Sequence, residues 1–146
     1  MGAATMAEYI PEPTYRISYL FRRILVPIDG SEISLRALDV ALDFAQRYGS
    51  KVTALYVYNS KEDPERVRKA IEQHVQRRGV RVNIKLRSYE PSTSSIANEI
   101  ISEIVEGGYD LVILGARGNT ANEDLIIGSV ALSIVVNSAI SVMIVR

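Results

Sequence analysis

Two spacings of apolar residues alternate along the chain. Short, almost wholly apolar runs, such as ILVPI at 24–28 and LVIL at 111–114, are typical of strands buried in a parallel sheet. Between such runs, apolar residues recur every three or four positions, as at Leu35, Leu38 and Leu42, which is typical of amphipathic helices. We predict strands at 24–28, 52–58, 80–87, 111–114 and 142–145, and helices at 32–48, between 63 and 79, between 91 and 107, and at 128–138.

This alternation predicts an α/β fold: a single doubly wound five-stranded parallel sheet with helices on both faces. The segment 80–87 alternates apolar and polar residues, so it belongs at an edge, whereas the runs 24–28 and 111–114 belong in the middle. The strand order 3-2-1-4-5 satisfies both demands. Ligands of such sheets bind where the winding reverses, at the carboxyl ends of the central strands, which here are marked by Asp29 and Gly115.

The fifth strand lies at the other edge in this order. Its residues Val142, Met143, Ile144 and Val145 carry no charge, and no proline protects the strand before Arg146. We predict that a twin subunit covers this edge, strand to strand, in a two-fold homodimer. The alternative is that a loop or the N-terminal segment covers it.

Residues 1–20 lack either spacing, and Pro11 and Pro13 disfavour regular structure there. We predict a loosely ordered N-terminal extension, followed by one domain over residues 21–146. The alternative is an arm that packs its tyrosines, Tyr9, Tyr15 and Tyr19, on the domain or on a partner.

Composition excludes several classes of protein. Seventeen basic and 17 acidic residues give a net charge of zero, so nothing suggests nucleic acid as the main partner. The chain has no cysteine, which excludes disulfides and thiolate metal sites. No apolar run approaches the roughly 18 residues of a membrane span, and the N-terminus lacks the plan of a signal peptide. We expect a cytoplasmic protein.

Candidate chemistry follows the fourth strand, where Gly115, Gly118 and Gly128 precede Ser129 and the last predicted helix. Glycine lets a ligand approach the backbone closely, and a helix N-terminus offers unpaired N–H groups to an anion. The pattern predicts a nucleotide phosphate site. It is neither a Walker A loop nor the dinucleotide fingerprint, and glycines that serve ordinary turns are the alternative.

Two stretches, ILVPIDGSEISLRALDVALDFA at 24–45 and LGARGNTANEDLIIGSVA at 114–131, resemble the universal stress protein family. The resemblance extends over residues 23–146. The spacing G-x2-G-x9-G-[ST] at residues 115–129 resembles the ATP-binding branch of that family.

The resemblance implies a site for ATP, with Mg²⁺ held through the phosphates rather than by side chains. It implies that Asp29, with Pro27 before it, lies beside the adenosine part and that the Val57 backbone meets the adenine. The ribose and phosphates would contact the residues of the glycine pattern and the start of the last helix: Gly115, Gly118, Gly128, Ser129 and Val130. The resemblance also implies a dimer through the last strand.

The chain departs from its relatives at three places. Asn119 stands where many relatives carry a basic residue, and Arg117 either supplies that charge or points to solvent. Glu123 and Asp124, with Asn122, make the loop acidic, which disfavours a triphosphate unless Mg²⁺ intervenes. At 140–141, Ile-Ser replaces a proline that is common before the last strand.

Catalysis is not expected to be the main role. Hydrolysis needs a positioned base and charge stabilisation at the γ-phosphate, but the loop has neither a catalytic lysine nor a histidine nearby. The single histidine, His74, is expected to pack half-buried on its helix. We therefore predict an ATP-binding, dimeric stress or regulatory protein that acts as a sensor or switch, with at most slow hydrolysis. A structural interaction module without nucleotide is the alternative, and a phosphoryl- or nucleotidyl-transfer enzyme is a third possibility.

Overall fold

A computed structural model describes residues 21–118 and 127–146, and these residues form strands and helices in strict alternation. The predicted N-terminal extension lies outside the described residues. In chain order the elements are β1 (Arg23–Pro27), α1 (Glu32–Tyr48), β2 (Lys51–Asn59), α2 (Glu65–Gln76), β3 (Val82–Tyr89), α3 (Ile96–Gly107), β4 (Leu111–Gly115), α4 (Ser129–Asn137) and β5 (Ser141–Val145).

The five strands form one parallel sheet in the order β3-β2-β1-β4-β5. The predicted strand order and fold class are therefore confirmed. β1 lies at the centre, and Leu25 pairs with Thr53 of β2 on one side and with Val112 of β4 on the other. This pairing brings the carboxyl ends of β2, β1 and β4 to one edge of the sheet.

Alternate residues of the central strands supply two separate cores, which accounts for helices on both faces. Ile24 points into the core covered by α1 and α2, whereas the next residue, Leu25, points into the core covered by α3 and α4. Each side chain is fully buried because the central strand is covered on both sides. Continuous apolar runs are required of such strands, and the runs at 24–28 and 111–114 satisfy that requirement.

Capping and turn residues set where the helices and strands begin and end. These boundaries differ from the predicted ones by a few residues. Ser31 caps α1 by accepting a hydrogen bond from the Ser34 N–H, and Gly49 ends the helix with φ of 73°. β3 begins at Val82, two residues later than predicted, because Gly79, with φ of 65°, is still completing the turn after α2.

A buried carboxylate joins α3 to the edge strand β3. Glu103 is 1% exposed, and its oxygens accept hydrogen bonds from Lys85 Nζ, Arg87 Nη1 and Tyr109 Oη at 3.0, 3.0 and 2.8 Å. Burial alone would raise the pKa of Glu103, but these donors outweigh it, and the net pKa lies below the usual value for a glutamate. The sequence pattern did not mark this residue as buried.

β5 forms the opposite edge of the sheet, paired with β4 alone among the described strands. The predicted interface residues Val142, Met143, Ile144 and Val145 are half-buried. The Val145 carbonyl accepts a hydrogen bond from the Ala116 N–H at 2.7 Å, so the odd-numbered residues of β5 direct their backbone groups toward β4. The backbone groups of Val142 and Ile144 consequently face away from the sheet. The dimer itself stays a prediction.

Candidate functional site

A cavity of about 350 Å³ opens at the carboxyl ends of β1, β2 and β4. It lies where the sheet order reverses between β1 and β4, the place predicted from the strand pattern. All nine residues predicted to bind nucleotide line this one cavity: Pro27, Asp29, Val57, Gly115, Arg117, Gly118, Gly128, Ser129 and Val130.

A tight turn after β1 fixes the carboxylate of Asp29. Asp29 Oδ1 accepts hydrogen bonds from the Ser31 N–H at 2.9 Å and from the Ser31 hydroxyl at 2.6 Å. Between them, Gly30 has a φ of 90°, a conformation that other residues rarely adopt. The same Ser31 hydroxyl accepts a hydrogen bond from the Ser34 N–H, so the turn and the first turn of α1 form one unit. The Asp29 side chain is thereby held at the cavity wall.

Gly118 passes directly against Asp29. A Cβ atom at this glycine would lie 2.2 Å from Asp29 Oδ2, closer than real atoms approach. Gly115 is similarly constrained, because its Cβ would lie 2.6 Å from the Ile33 side chain of α1. Side chains at these two positions would therefore crowd the Asp29 carboxylate and Ile33, whether or not a ligand binds.

Gly128 differs from the other two glycines of the pattern. Its φ is −77°, which any residue adopts, and among residues 21–118 and 127–146 a Cβ there would meet no atom closer than 3.5 Å. Neither backbone strain nor packing against this part of the chain requires glycine at this position. The missing side chain instead leaves open space at the N-terminus of α4, on the cavity wall. A ligand approaching closely from the cavity side would make use of this space.

The N-terminus of α4 faces the cavity with its first three residues, Ser129, Val130 and Ala131. Gly128 is the N-cap and provides no side-chain cap, and the first turn contains no acidic residue. N–H groups and a partial positive charge are therefore presented to the cavity, with the Ser129 hydroxyl beside them. This end of the cavity suits an anion, and we call it the anion end.

The opposite end of the cavity is formed by β2, which continues beyond β1. The pairing of the two strands ends at Pro27 and Leu55, whereas β2 extends to Asn59. The Leu55 carbonyl accepts a hydrogen bond from the Ile28 N–H at 2.8 Å, so it faces β1. Because backbone groups two residues apart point to the same side of a strand, those of Val57 point toward the cavity.

Apolar side chains line the cavity near Val57. Ile96 and Ile100 of α3 extend the wall, so a flat, apolar group with polar edges would be accommodated there. Burial, and next the charge of Glu62, raise the pKa of the neighbouring Tyr56. Four of the cavity residues were not predicted from the sequence: Asn59, Glu62, Ile96 and Ile100. The position of Asn59 directly at the end of a strand was the signal that could have marked the first of them.

Other predicted features are placed elsewhere or lie outside the described residues. His74 is half-buried on α2, and its Nε2 lies 2.7 Å from Asp39 Oδ1 of α1, a partner 35 positions away that the sequence did not reveal. It does not line the cavity. Asn119, Asn122, Glu123 and Asp124 lie in the segment that is not described, so predictions about the acidic loop stay predictions.

Within residues 21–118 and 127–146, no cluster of three or more His, Asp or Glu side chains could hold a metal ion. A helix search of the same part of the chain finds none that could span a membrane.

Comparison with known proteins shows which family the chain resembles. The family model described as the universal stress protein family matches residues 20–146. The chain belongs to the universal stress protein family. Universal stress protein MJ0531 of Methanocaldococcus jannaschii is 26% identical, over 87% of this chain and 83% of the relative. Universal stress protein YxiE of Bacillus subtilis is 27% identical, over 87% of this chain and the whole relative.

Solved structures of universal stress proteins share the architecture. UspA from Lactobacillus plantarum superposes with a TM-score of 0.75 at 22% identity, covering 86% of this chain and 98% of that protein. A universal stress protein in complex with cAMP gives a TM-score of 0.70 at 21% identity, over 87% and 98%. One from Archaeoglobus fulgidus in complex with dAMP gives 0.65 at 18% identity, over 87% and 99%. At these identities the likeness establishes the fold.

Proposed function

We propose that this chain is a nucleotide-dependent stress-response or regulatory protein that binds ATP, with Mg²⁺ on the phosphates, in the cavity between β1 and β4. The observation that carries the proposal is Gly128. Its missing side chain opens the N-terminus of α4, although neither its backbone conformation nor its packing against the described residues requires a glycine there.

The two ends of the cavity match the two ends of a nucleotide. Phosphates at the anion end would accept hydrogen bonds from the first N–H groups of α4 and from Ser129. The base would lie across β1, against the backbone of Val57 and the apolar side chains of Ile96 and Ile100. Asp29, between the two ends, would contact the ribose. The cAMP and dAMP complexes of related proteins are consistent with an adenine nucleotide in this position.

The bound nucleotide would act as a signal rather than as a substrate for rapid turnover. Its phosphates would contact the segment between Gly118 and Gly128 and so change the surface offered to a protein partner, which is an established way of switching. We further propose that β5 pairs with its copy in a homodimer. Arg117 lines the cavity and is our candidate for the cationic phosphate contact in place of Asn119.

Thermal unfolding with and without Mg-ATP tests the proposal, with AMP and GTP as controls. A ligand at 100 times its dissociation constant adds roughly 2.7 kcal/mol to the free energy of unfolding. For a domain of this size, the melting temperature should rise by on the order of 10 °C. A rise with adenine nucleotides that GTP does not reproduce is the expected result. No rise at millimolar ATP would instead favour an interaction module without nucleotide.

A further inference from the structure

The chain between β2 and α2 closes the cavity at the end farthest from α4. We call residues 59–62 the β2–α2 turn. Asn59 and Glu62 line the cavity, and neither belongs to the glycine pattern. Neighbouring strands lie roughly 4.8 Å apart, and β1 separates β2 from β4, so β2 lies about 10 Å across the sheet from β4. A nucleotide that places its phosphates at the anion end would direct its base toward this turn.

Four backbone N–H groups donate hydrogen bonds that hold the β2–α2 turn in place. The Glu62 N–H donates to the Asn59 carbonyl at 2.8 Å, and the Lys61 N–H donates to Asn59 Oδ1 at 3.0 Å. The Ser60 N–H donates to the Tyr89 carbonyl at 2.9 Å, which ties the turn to β3. The Asn59 N–H donates to Glu62 Oε1 at 3.1 Å. The turn is therefore preorganised, and the Glu62 side chain is held by the backbone N–H of Asn59.

The hydrogen bond from Asn59 also fixes the direction of the Glu62 carboxylate. Leu55 faces β1 through its carbonyl, and backbone groups of Val57 and Asn59 point to that same side. Glu62 Oε1 accepts its hydrogen bond from the Asn59 N–H. The carboxylate therefore lies on the cavity side of β2, beyond the backbone groups of Val57. The effect of the Glu62 charge on the pKa of Tyr56, another cavity residue, agrees with this position.

We propose that Glu62 selects the base, by accepting a hydrogen bond from an exocyclic amine at position 6 of a purine. This inference rests on the proposed function, because it concerns the base end of the same site. An ionised carboxylate is acceptor-only, so it attracts the amine of adenine and repels the 6-oxo oxygen of hypoxanthine or guanine. Glu62 is thus a specificity-determining residue, beside the Val57 backbone that meets the base edge.

The test compares ATP with ITP, which carries an oxygen in place of the 6-amine, by calorimetric titration of the full chain. Glu62→Gln keeps the size of the side chain and an oxygen for the Asn59 N–H, but it adds an amide donor for the 6-oxo group. Glu65→Gln is the matched control, because Glu65 lies three positions later, pairs with Arg68 and does not line the cavity. The ratio of the two affinities cancels any general effect of removing one negative charge.

We expect the unsubstituted protein to bind ATP about tenfold or more tightly than ITP, a difference typical of one hydrogen bond to a charged group. Glu62→Gln should reduce that ratio by about fivefold, with an increase in ITP affinity, and Glu65→Gln should leave it unchanged. An unsubstituted protein without preference, or an unchanged ratio in Glu62→Gln, would overturn this inference while ATP binding stood. Absence of binding to either nucleotide would overturn the proposed function as well.

Discussion

At the scale of single residues, the structure gives different physical reasons for the three glycines of the loop pattern. A side chain at Gly118 or Gly115 would crowd Asp29 or Ile33, whereas the described residues around Gly128 leave room for one. The spacing of the glycines alone therefore does not distinguish a glycine that serves packing from one that serves ligand binding. The nucleotide hypothesis depends most on Gly128, and substitutions at the other two would disturb the fold before they tested a ligand.

Gly118→Ala should destabilise the nucleotide-free protein, because the new Cβ would lie 2.2 Å from Asp29 Oδ2. Overpacking of this kind costs about 1–3 kcal/mol of unfolding free energy. Removing the carboxylate with Asp29→Ala should relieve part of that loss, so the two changes should be non-additive in a double-mutant cycle measured by chemical denaturation.

Additive losses in that cycle would contradict the contact between Gly118 and Asp29. Gly128→Ala is the control, since its Cβ would meet no described atom closer than 3.5 Å. It should lower the unfolding free energy by no more than the small cost of changing an N-cap.

At the scale of elements, the sequence pattern predicted the order of the strands in the sheet. It did not predict the polar side-chain contacts between elements. The strand order followed from two features: the continuous apolar runs at 24–28 and 111–114, and the alternating strand at 80–87. The buried position of Glu103 could not be predicted, because its partners Lys85 and Arg87 lie 18 and 16 positions away, on an edge strand. The partnership of His74 with Asp39 was missed for the same reason.

The ion pairs between β3 and α3 should make stability depend on pH. The pKa of Glu103 is lowered in the folded protein, and hydrogen bonds from Ser94 and Arg87 lower that of Glu99. A carboxyl group whose folded pKa lies below its unfolded value, about 4.3 for glutamate, stabilises the fold above that value. The contribution is lost as the pH falls through the folded pKa.

Glu103→Gln should therefore lower the free energy of unfolding at pH 7 by about 1–3 kcal/mol and reduce its decline between pH 5 and pH 3. Urea denaturation over this pH range measures both effects. Glu72→Gln, on the exposed side of α2, is the control. A pH dependence identical in Glu103→Gln and the unsubstituted protein would show that this carboxylate does not contribute.

At the scale of the whole molecule, the outer edge of β5 is where we expect a second copy. Val142→Pro tests this expectation, because the backbone N–H of Val142 faces away from β4 and its loss leaves the pairing with β4 intact. Light scattering coupled to size exclusion should show a dimer for the unsubstituted protein and a monomer for the variant.

Ser141 and Met143 direct their N–H groups toward β4, so Met143→Pro is the contrasting variant, which should unfold rather than dissociate. A monomeric unsubstituted protein, or a Val142→Pro variant that stays dimeric, would contradict pairing through this edge.

The cavity could be located from the sequence because the strand order and the glycine pattern both point to the ends of β1 and β4. Its far wall could not, because Glu62, Ile96 and Ile100 are brought to the site by turns and helix packing rather than by a recognisable motif. The cavity wall at the ends of β1 and β4 was thus accessible to sequence reasoning, whereas the wall beyond Val57 required the structure.

The most direct test of the account is calorimetric titration of Mg-ATP into the unsubstituted protein and into Gly128→Ala. The alanine fits the nucleotide-free fold but fills the space that we assign to the phosphates. We predict binding to the unsubstituted protein and an affinity at least about tenfold weaker, or roughly 1.4 kcal/mol, for the variant, with nearly equal melting temperatures without ligand. No binding to the unsubstituted protein, or equal affinities for both, would contradict a nucleotide site at the N-terminus of α4.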